Sequence, residues 1–375
     1  MEHFQKETLL FYINAIHDGG AERVIIEVAH GLSQMGYRSI LVTSFVDENW
    51  EYPIPDGVER VSIEQRERRD SFVVRNIRRV YALRQLCKKY KPAVLVSFMD
   101  ESNVRALIAT MGLPVKNIIS VRADPAQLYD GFCKSLLARY LLPRADGCVF
   151  QTENAMHWFP ESLQRKSQVI LNPVKPAFFQ MQRVHNPKHI VAIGRLEKVK
   201  NFGLLLDAFS QLAFKYPQEK LLIFGQGVLR DELQRKINAL HLEGRAFLMG
   251  ATDDVPGVLA TARLFVLSSD SEGMPNALME AMAVGVPVIA TDCPSGGVRS
   301  LIEDGVNGLL VPMGDKERLA DAMDKVLTDD SLSERLGDYA RQSAVARFNP
   351  MKVMHEWENF LRQVIGNTML RYTPD

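Results

Sequence analysis

Short apolar runs recur along this chain, each followed by a stretch with helical spacing, and the series is written twice. In the first half, LLFYINAI (9–16) reads as a strand, AERVIIEVAHGLSQMG (21–36) as a helix and RSILVTSF (38–45) as a strand, with AVLVSFM (93–99), NIISV (117–121) and GCVFQT (147–152) continuing the pattern. After the turn-rich LNPVKPAFF (171–179) it restarts: HIVAIGR (189–195), KLLIFGQG (220–227), AFLMG (246–250), LFVLSS (264–269), PVIAT (287–291) and GLLV (308–311). Near-continuous Val/Ile/Leu strands separated by helices predict parallel sheets covered on both faces. Two such series, joined near 172–188, predict two Rossmann-like domains, and 375 residues are too many for one ordinary core. The last helical stretch, PMKVMHEWENFLRQVIG (350–366), lies beyond the final strand.

The formal net charge is +0, so no global field draws in nucleic acid, and any anion site must be local. Cys87, Cys133, Cys148 and Cys293 lack metal-ligand spacing and read as reduced thiols of a cytoplasmic chain. The N-terminal segment reads as a first strand rather than a signal peptide. No apolar run approaches the roughly 18 residues of a spanning helix.

One stretch departs from this balance. Residues 60–91 hold eleven Lys/Arg against three acids, leaving +8. Val73, Ile77, Val80, Leu83 and Cys87 fall at helical spacing, which predicts a basic amphipathic helix within 66–91. Two readings stand: the solvated face of a surface helix, or a patch for anionic lipid headgroups, at the inner face of the cytoplasmic membrane, or for a lipid-linked phosphate. Nucleic acid fits less well, because no aromatic residues for stacking are interleaved with the charges.

Ligands of parallel sheets bind at the carboxyl ends of strands, so chemistry is sought just after each strand. HDGGAERV (17–24) places Gly19 and Gly20 at a helix start, where free N–H groups suit an anion. GRLEKVKN (194–201) places Arg195 and Lys200 five residues apart after a strand, a pair suited to a diphosphate. In FGQGVLRDEL (224–233), Gly225 and Gly227 would let a planar base lie against the backbone, but the third glycine of a dinucleotide motif is missing. The first and third of these also read as ordinary turns before a helix, and the second as surface charge. DSEGMPNALMEAMAVG (270–285) is less easily dismissed. If its helix begins near Pro275, Asn276 and Glu280 share one face, and the amides near Gly273, Met274, Asn276 and Ala277 point toward a ligand. Carboxylates accept hydrogen bonds from vicinal hydroxyls, so Glu272 and Glu280 could each grip a polyol with a diphosphate between them.

The ordered set of GGAE, GRLEKVKN, FGQG and the E-x7-E of EGMPNALME, with VNGLLVP (306–312) behind it, resembles the family-4 retaining glycosyltransferases of the GT-B fold. The resemblance covers nearly the whole chain. It implies two Rossmann-like domains with parallel sheets facing a central cleft. Residues 1–175 would bind the acceptor, with helix 350–370 packing back on them, and residues 185–348 would bind the nucleotide sugar. By resemblance, Arg195 and Lys200 bind the diphosphate and offset leaving-group charge. Glu280 binds the ribose hydroxyls, and Glu272 contacts the donor sugar. The backbone of Gly273, Met274, Pro275, Asn276 and Ala277 holds sugar and phosphate. Gly20 lies against the donor phosphate, and residues 250–255, with Asp254, form the base-side loop. The expected donor is a UDP-sugar and the expected acceptor a lipid-linked oligosaccharide. No D-x-D motif is present, so no cofactor and no metal are expected.

The sequence departs from the family at SVRADP (120–125), where Arg122 stands in a stretch that carries a histidine in many relatives. Arg122 is expected on the acceptor side, near the reaction centre. His17 is weighed as an acceptor contact against a structural role. Two other classes stay open: a sugar-nucleotide epimerase on a similar fold, and a non-catalytic sugar-nucleotide-binding module.

Overall fold

Each domain is organised around one parallel sheet. The computed structural model describes residues 6–17, 19–46, 51–66, 71–184 and 187–366. They fall into two units, Met1–Pro173 with Pro350–Asp375, and Val174–Asn349.

The first unit holds β1 (Thr8–Ile13), β2 (Arg38–Phe45), β3 (Val58–Glu64), β4 (Val94–Phe98), β5 (Lys116–Ser120), β6 (Gly147–Phe150) and β7 (Ser167–Val169), in the order β3-β2-β1-β4-β5-β6-β7. Every pairing is parallel. On one face, α1 (Gly20–Gln34) and the helix Pro350–Gly366 bury Leu9, Phe11, Val94, Val96 and Ile118. Trp357 of that last helix is fully buried and stacks on Phe98. Gly31 of α1 lets it approach closely, since a Cβ there would stand 2.3 Å from Met354 Sδ.

The opposite face carries α2 (Phe72–Tyr90), α3 (Asp100–Thr110) and the helical stretch Phe132–Leu136 continued by Leu137–Leu141. The register proves the shared face. Leu10 opposes Leu95, Leu95 opposes Asn117, and Ile119, two residues on, opposes Cys148. Leu10 and Leu95 pack with Leu83 of α2, and Ile119 and Cys148 pack with Ala138.

The basic stretch differs from its expected form. Its start is the strand β3, its helix begins only at Phe72, and residues 67–70 lie outside the described residues. The apolar stripe turns inward only from Val80, which packs partly buried against the core, to the buried Leu83 and Cys87. Val73 is 63% exposed and Ile77 65%, beside exposed Phe72, Val74 and Tyr81. The cause is Glu64, buried at the end of β3. A buried carboxylate is costly unless paired. Burial alone would raise its pKa. The guanidinium of Arg78, donating at 2.7 and 3.0 Å, and that of Arg79, at 3.5 Å, outweigh this and hold it below the ordinary value. Arg79 itself is 1% exposed and also donates to Asn14 Oδ1. Turning these arginines inward rotates the apolar residues of the first turns outward.

The second unit holds β8 (Ile190–Ile193), β9 (Leu221–Phe224), β10 (Ala246–Gly250), β11 (Leu264–Leu267), β12 (Val288–Asp292) and β13 (Leu309–Pro312), all parallel, in the order β10-β9-β8-β11-β12-β13. The order reverses between β8 and β11. A crevice opens at such a switch point, outside the carboxyl ends of the strands.

Candidate functional site

Two loops meet at the switch point of the second unit. After β8 the chain runs through Gly194 and Arg195 to a short turn, Lys198–Lys200. Asn201 then takes a left-handed conformation (φ 44°) and caps the helix Phe202–Leu212, accepting from Leu204 N–H at 3.2 Å. After β11 the chain runs through Ser268, Ser269 and Asp270 to Glu272. Four contacts stitch the loops together. Asp270 N–H donates to Val199 O at 2.8 Å, Asn201 Nδ2 to Asp270 Oδ1 at 2.8 Å, and Ser268 Oγ to Lys200 O at 3.0 Å. Lys200 Nζ donates to Glu272 Oε1 at 2.6 Å.

Glu272 is held from two further sides. Ser269 Oγ donates to the same Oε1 at 2.6 Å, and Ser295 Oγ donates to its backbone oxygen. Gly297, after β12, fits because a Cβ there would stand 1.8 Å from Gly273 O. Ser269 and Ser295 are not singled out by the sequence, and the contact of Gly297 with Gly273 is not legible in it. The Ser-Gly-Gly run at 295–297, after a buried strand, is the signal in the sequence for Ser295 and Gly297.

The helix Asn276–Val284 follows, with Pro275 at its N-cap and no side-chain cap. A helix N-terminus favours a nearby anion. Glu280 is 4% exposed, one turn beyond Asn276, and all of Leu278–Val284 is buried. Gly225 and Gly227 (φ 144° and 156°) have a packing reason. A Cβ would stand 1.9 Å from Gly194 O in the first case and 2.5 Å from Leu196 O in the second. They press the loop after β9 against the Arg195 loop, joined by the Leu196 N–H to Gln226 O bond at 2.8 Å.

Arg195 is 3.1 Å from Glu197 Oε1, with its side chain half exposed. Asp254 caps the helix Val255–Ala260, accepting from Gly257 N–H at 2.9 Å. Cys293 donates to Ser269 O at 3.1 Å, and burial pushes its thiol up to about 11.

In the first unit, Gly19 is extended at the N-cap of α1 and Gly20 opens the helix, again without a side-chain cap. His17 O accepts from Gly19 N–H at 2.7 Å. Arg122 lies just past β5, 9% exposed, and its Nη1 donates to Asn172 Oδ1 at 2.7 Å. Among the described residues, no group of three or more His, Cys, Asp or Glu side chains is placed to hold a metal ion. No helix among them is long and apolar enough to cross a membrane.

Residues 18–178 match the family described as Glycosyltransferase Family 4, and residues 174–343 match Glycosyl transferases group 1. The chain is 27% identical over 366 residues to the GalNAc-alpha-(1->4)-GalNAc-alpha-(1->3)-diNAcBac-PP-undecaprenol alpha-1,4-N-acetyl-D-galactosaminyltransferase of Campylobacter jejuni, covering 94% of this chain and 98% of that protein. It is 34% identical over 160 residues to the lipopolysaccharide core biosynthesis glycosyltransferase LpsE of Rhizobium meliloti, covering 43% of this chain and 45% of that one. Among solved structures, Anabaena HepE in complex with UDP and glucose superposes with a TM-score of 0.81 at 19% identity, covering 95% and 99% of the two chains.

Proposed function

Because the chain belongs to the GT-B glycosyltransferases of the family-4 type, we propose that it moves a sugar from a UDP-sugar to a lipid-linked glycan, with retained anomeric configuration and no divalent metal. The observation that carries this reading is the Lys200–Glu272 pair at the switch point, one cation and one carboxylate 2.6 Å apart beside an uncapped helix N-terminus. A diphosphate needs the cation and the amides, and a sugar needs the carboxylate. The UDP bound in HepE supports the nucleotide, and the undecaprenol-linked substrate in the name of the Campylobacter relative supports the acceptor.

Breaking the sugar–diphosphate bond leaves charge on the departing phosphate oxygen. Arg195, Lys200 and the N–H groups at Asn276 and Ala277 stabilise that charge without reorganising. The acceptor hydroxyl attacks from the face the phosphate leaves, and its proton passes to the departing oxygen, so no protein nucleophile is required. Glu272 accepts from hydroxyls of the donor sugar and Glu280 from those of the ribose. The test is the anomeric configuration of the product formed from an α-linked UDP-sugar. An α-linkage is expected, and a β-linkage would refute retention.

A lipid-linked acceptor is met at a membrane, and one face of the first unit suits that surface. Phe72, Val73, Ile77 and Tyr81 of α2, with Phe132, Leu136 and Tyr140, are exposed on the same side of the sheet. Lys88, Lys89, Lys134 and Arg139 are exposed among them, and neither 71–91 nor 131–145 contains an acid. Apolar insertion framed by cations is the pattern of binding to anionic interfaces. Arg78 and Arg79 face inward, so reversing their charge would disturb the fold instead of the membrane contact. The pair Ile77→Glu and Phe132→Glu is expected to lower binding to phosphatidylglycerol vesicles at least about tenfold, since each buried side chain contributes about 1.5–3 kcal/mol. Unchanged vesicle binding would refute this contact.

A further inference from the structure

The first unit contains a buried cation with no counter-charge among the described residues. Arg122 stacks on the ring of Phe98, with its guanidinium 3.9 Å from the ring centroid. Phe98 is the last residue of β4, and β4 borders β1 where the strand order of this sheet reverses. Arg122 is therefore seated at the ligand end of its sheet. Nη1 is occupied by Asn172 Oδ1, which Gln151 Nε2 also reaches at 3.0 Å. Nε and Nη2 are buried and have no hydrogen-bond partner among the described residues, and neither has Gln151 Oε1.

The two open atoms are not a random pair. Nε–H and Nη2–H form one edge of the guanidinium plane and point the same way. That fork matches two oxygens of a carboxylate or phosphate. No acidic side chain pairs with Arg122 among the described residues. Burial pulls its pKa down to about 9, which leaves it charged at neutral pH. A buried charge without a partner destabilises a fold, and a neutral residue would be the cheaper occupant.

We propose that Arg122, held by Phe98 and Asn172, is a receptor for a carboxylate or phosphate group of a substrate, engaged through its Nε–Nη2 edge. Gln151 Oε1 accepts a hydroxyl beside it. The inference rests on the glycosyl-transfer reading, because it takes the anion to belong to the donor sugar or the acceptor.

Calorimetric binding separates the two sources without requiring turnover. One probe pair is UDP-glucuronic acid against UDP-glucose, and the other is an N-acetylglucosaminyl farnesyl diphosphate against a neutral octyl N-acetylglucosaminide. Wild type should prefer the anionic member of one pair. Arg122→Gln should weaken that member at least tenfold while changing its neutral counterpart less than twofold. Arg122→Lys, which keeps the charge and loses the fork, should recover only part. A preference in the first pair assigns the anion to the donor sugar, and one in the second assigns it to the acceptor. The unliganded Arg122→Gln protein should melt no lower than wild type. Three results would overturn the proposal: no preference in either pair, equal weakening within a pair, or a large fall in the unliganded melting midpoint, which would make Arg122 a structural tie. Acceptor-dependent UDP release by the wild-type protein reports on the transfer reading separately.

Discussion

Glu280→Gln lowers the affinity for UDP about a hundredfold while leaving the melting midpoint near that of wild type. The substitution keeps volume and removes charge. In the proposed complex the Glu280 carboxylate accepts from two vicinal ribose hydroxyls, and hydrogen bonds to charged groups contribute about 1.5–3 kcal/mol each. Gln offers one acceptor oxygen and places an N–H₂ where the second acceptor stood, so one hydroxyl faces a donor. Glu280 is 4% exposed within a helix buried from Leu278 to Val284, so water cannot readily replace the lost acceptor. Titration of UDP into both proteins, with a melting curve for each, checks the effect. Affinity within threefold of wild type would make Glu280 a packed helix residue and remove it from the site.

The second large effect is expected at Lys200. Lys200→Ala should lower kcat/KM about 10²–10³-fold, the loss typical of removing one preorganised stabiliser of developing oxyanion charge. The fold should survive, because Glu272 keeps its bond from Ser269 Oγ and the loops keep the Asn201–Asp270 and Val199–Asp270 contacts. Lys200→Arg should recover part of the rate, since it restores charge but presents a planar fork where a compact ammonium stood. Steady-state kinetics on the three proteins decide it. An Ala variant within tenfold of wild type would leave leaving-group stabilisation to Arg195 and the helix amides alone.

The sequence made the central strands legible and the edges obscure, for a physical reason. β1, β4, β8 and β11 are buried on both faces and read as unbroken apolar runs. β3, written VERVSIE, is half covered along most of its length, and β7 spans only three residues, so neither stands out. The inversion of α2 was hidden in the same way. Periodicity reveals that Val73, Ile77, Leu83 and Cys87 share a stripe. It does not reveal that Glu64, on an unseen strand, pulls Arg78 and Arg79 inward.

At the site, the residue types after each strand were readable, and the order of motifs identified the family. Pairing was not readable. Lys200 and Glu272 are 72 positions apart and the sequence suggests separate tasks for them, yet they share one hydrogen bond. Gly225 and Gly227 suggest room for a ligand, but an added Cβ at either would meet the backbone of the neighbouring loop at Gly194 or Leu196.

Acceptor-dependent transfer from a UDP-sugar is the proposed activity. The most direct measurement is UDP release in the presence of EDTA, across a panel of UDP-sugars, with and without a lipid-linked oligosaccharide extract. The account predicts release that requires both one particular sugar and the extract, and that EDTA does not diminish. Conversion of the sugar nucleotide without any acceptor would contradict it and indicate an epimerase. UDP-sugar binding with no release against any purified lipid-linked acceptor would contradict it as well, and would make the chain a binding module.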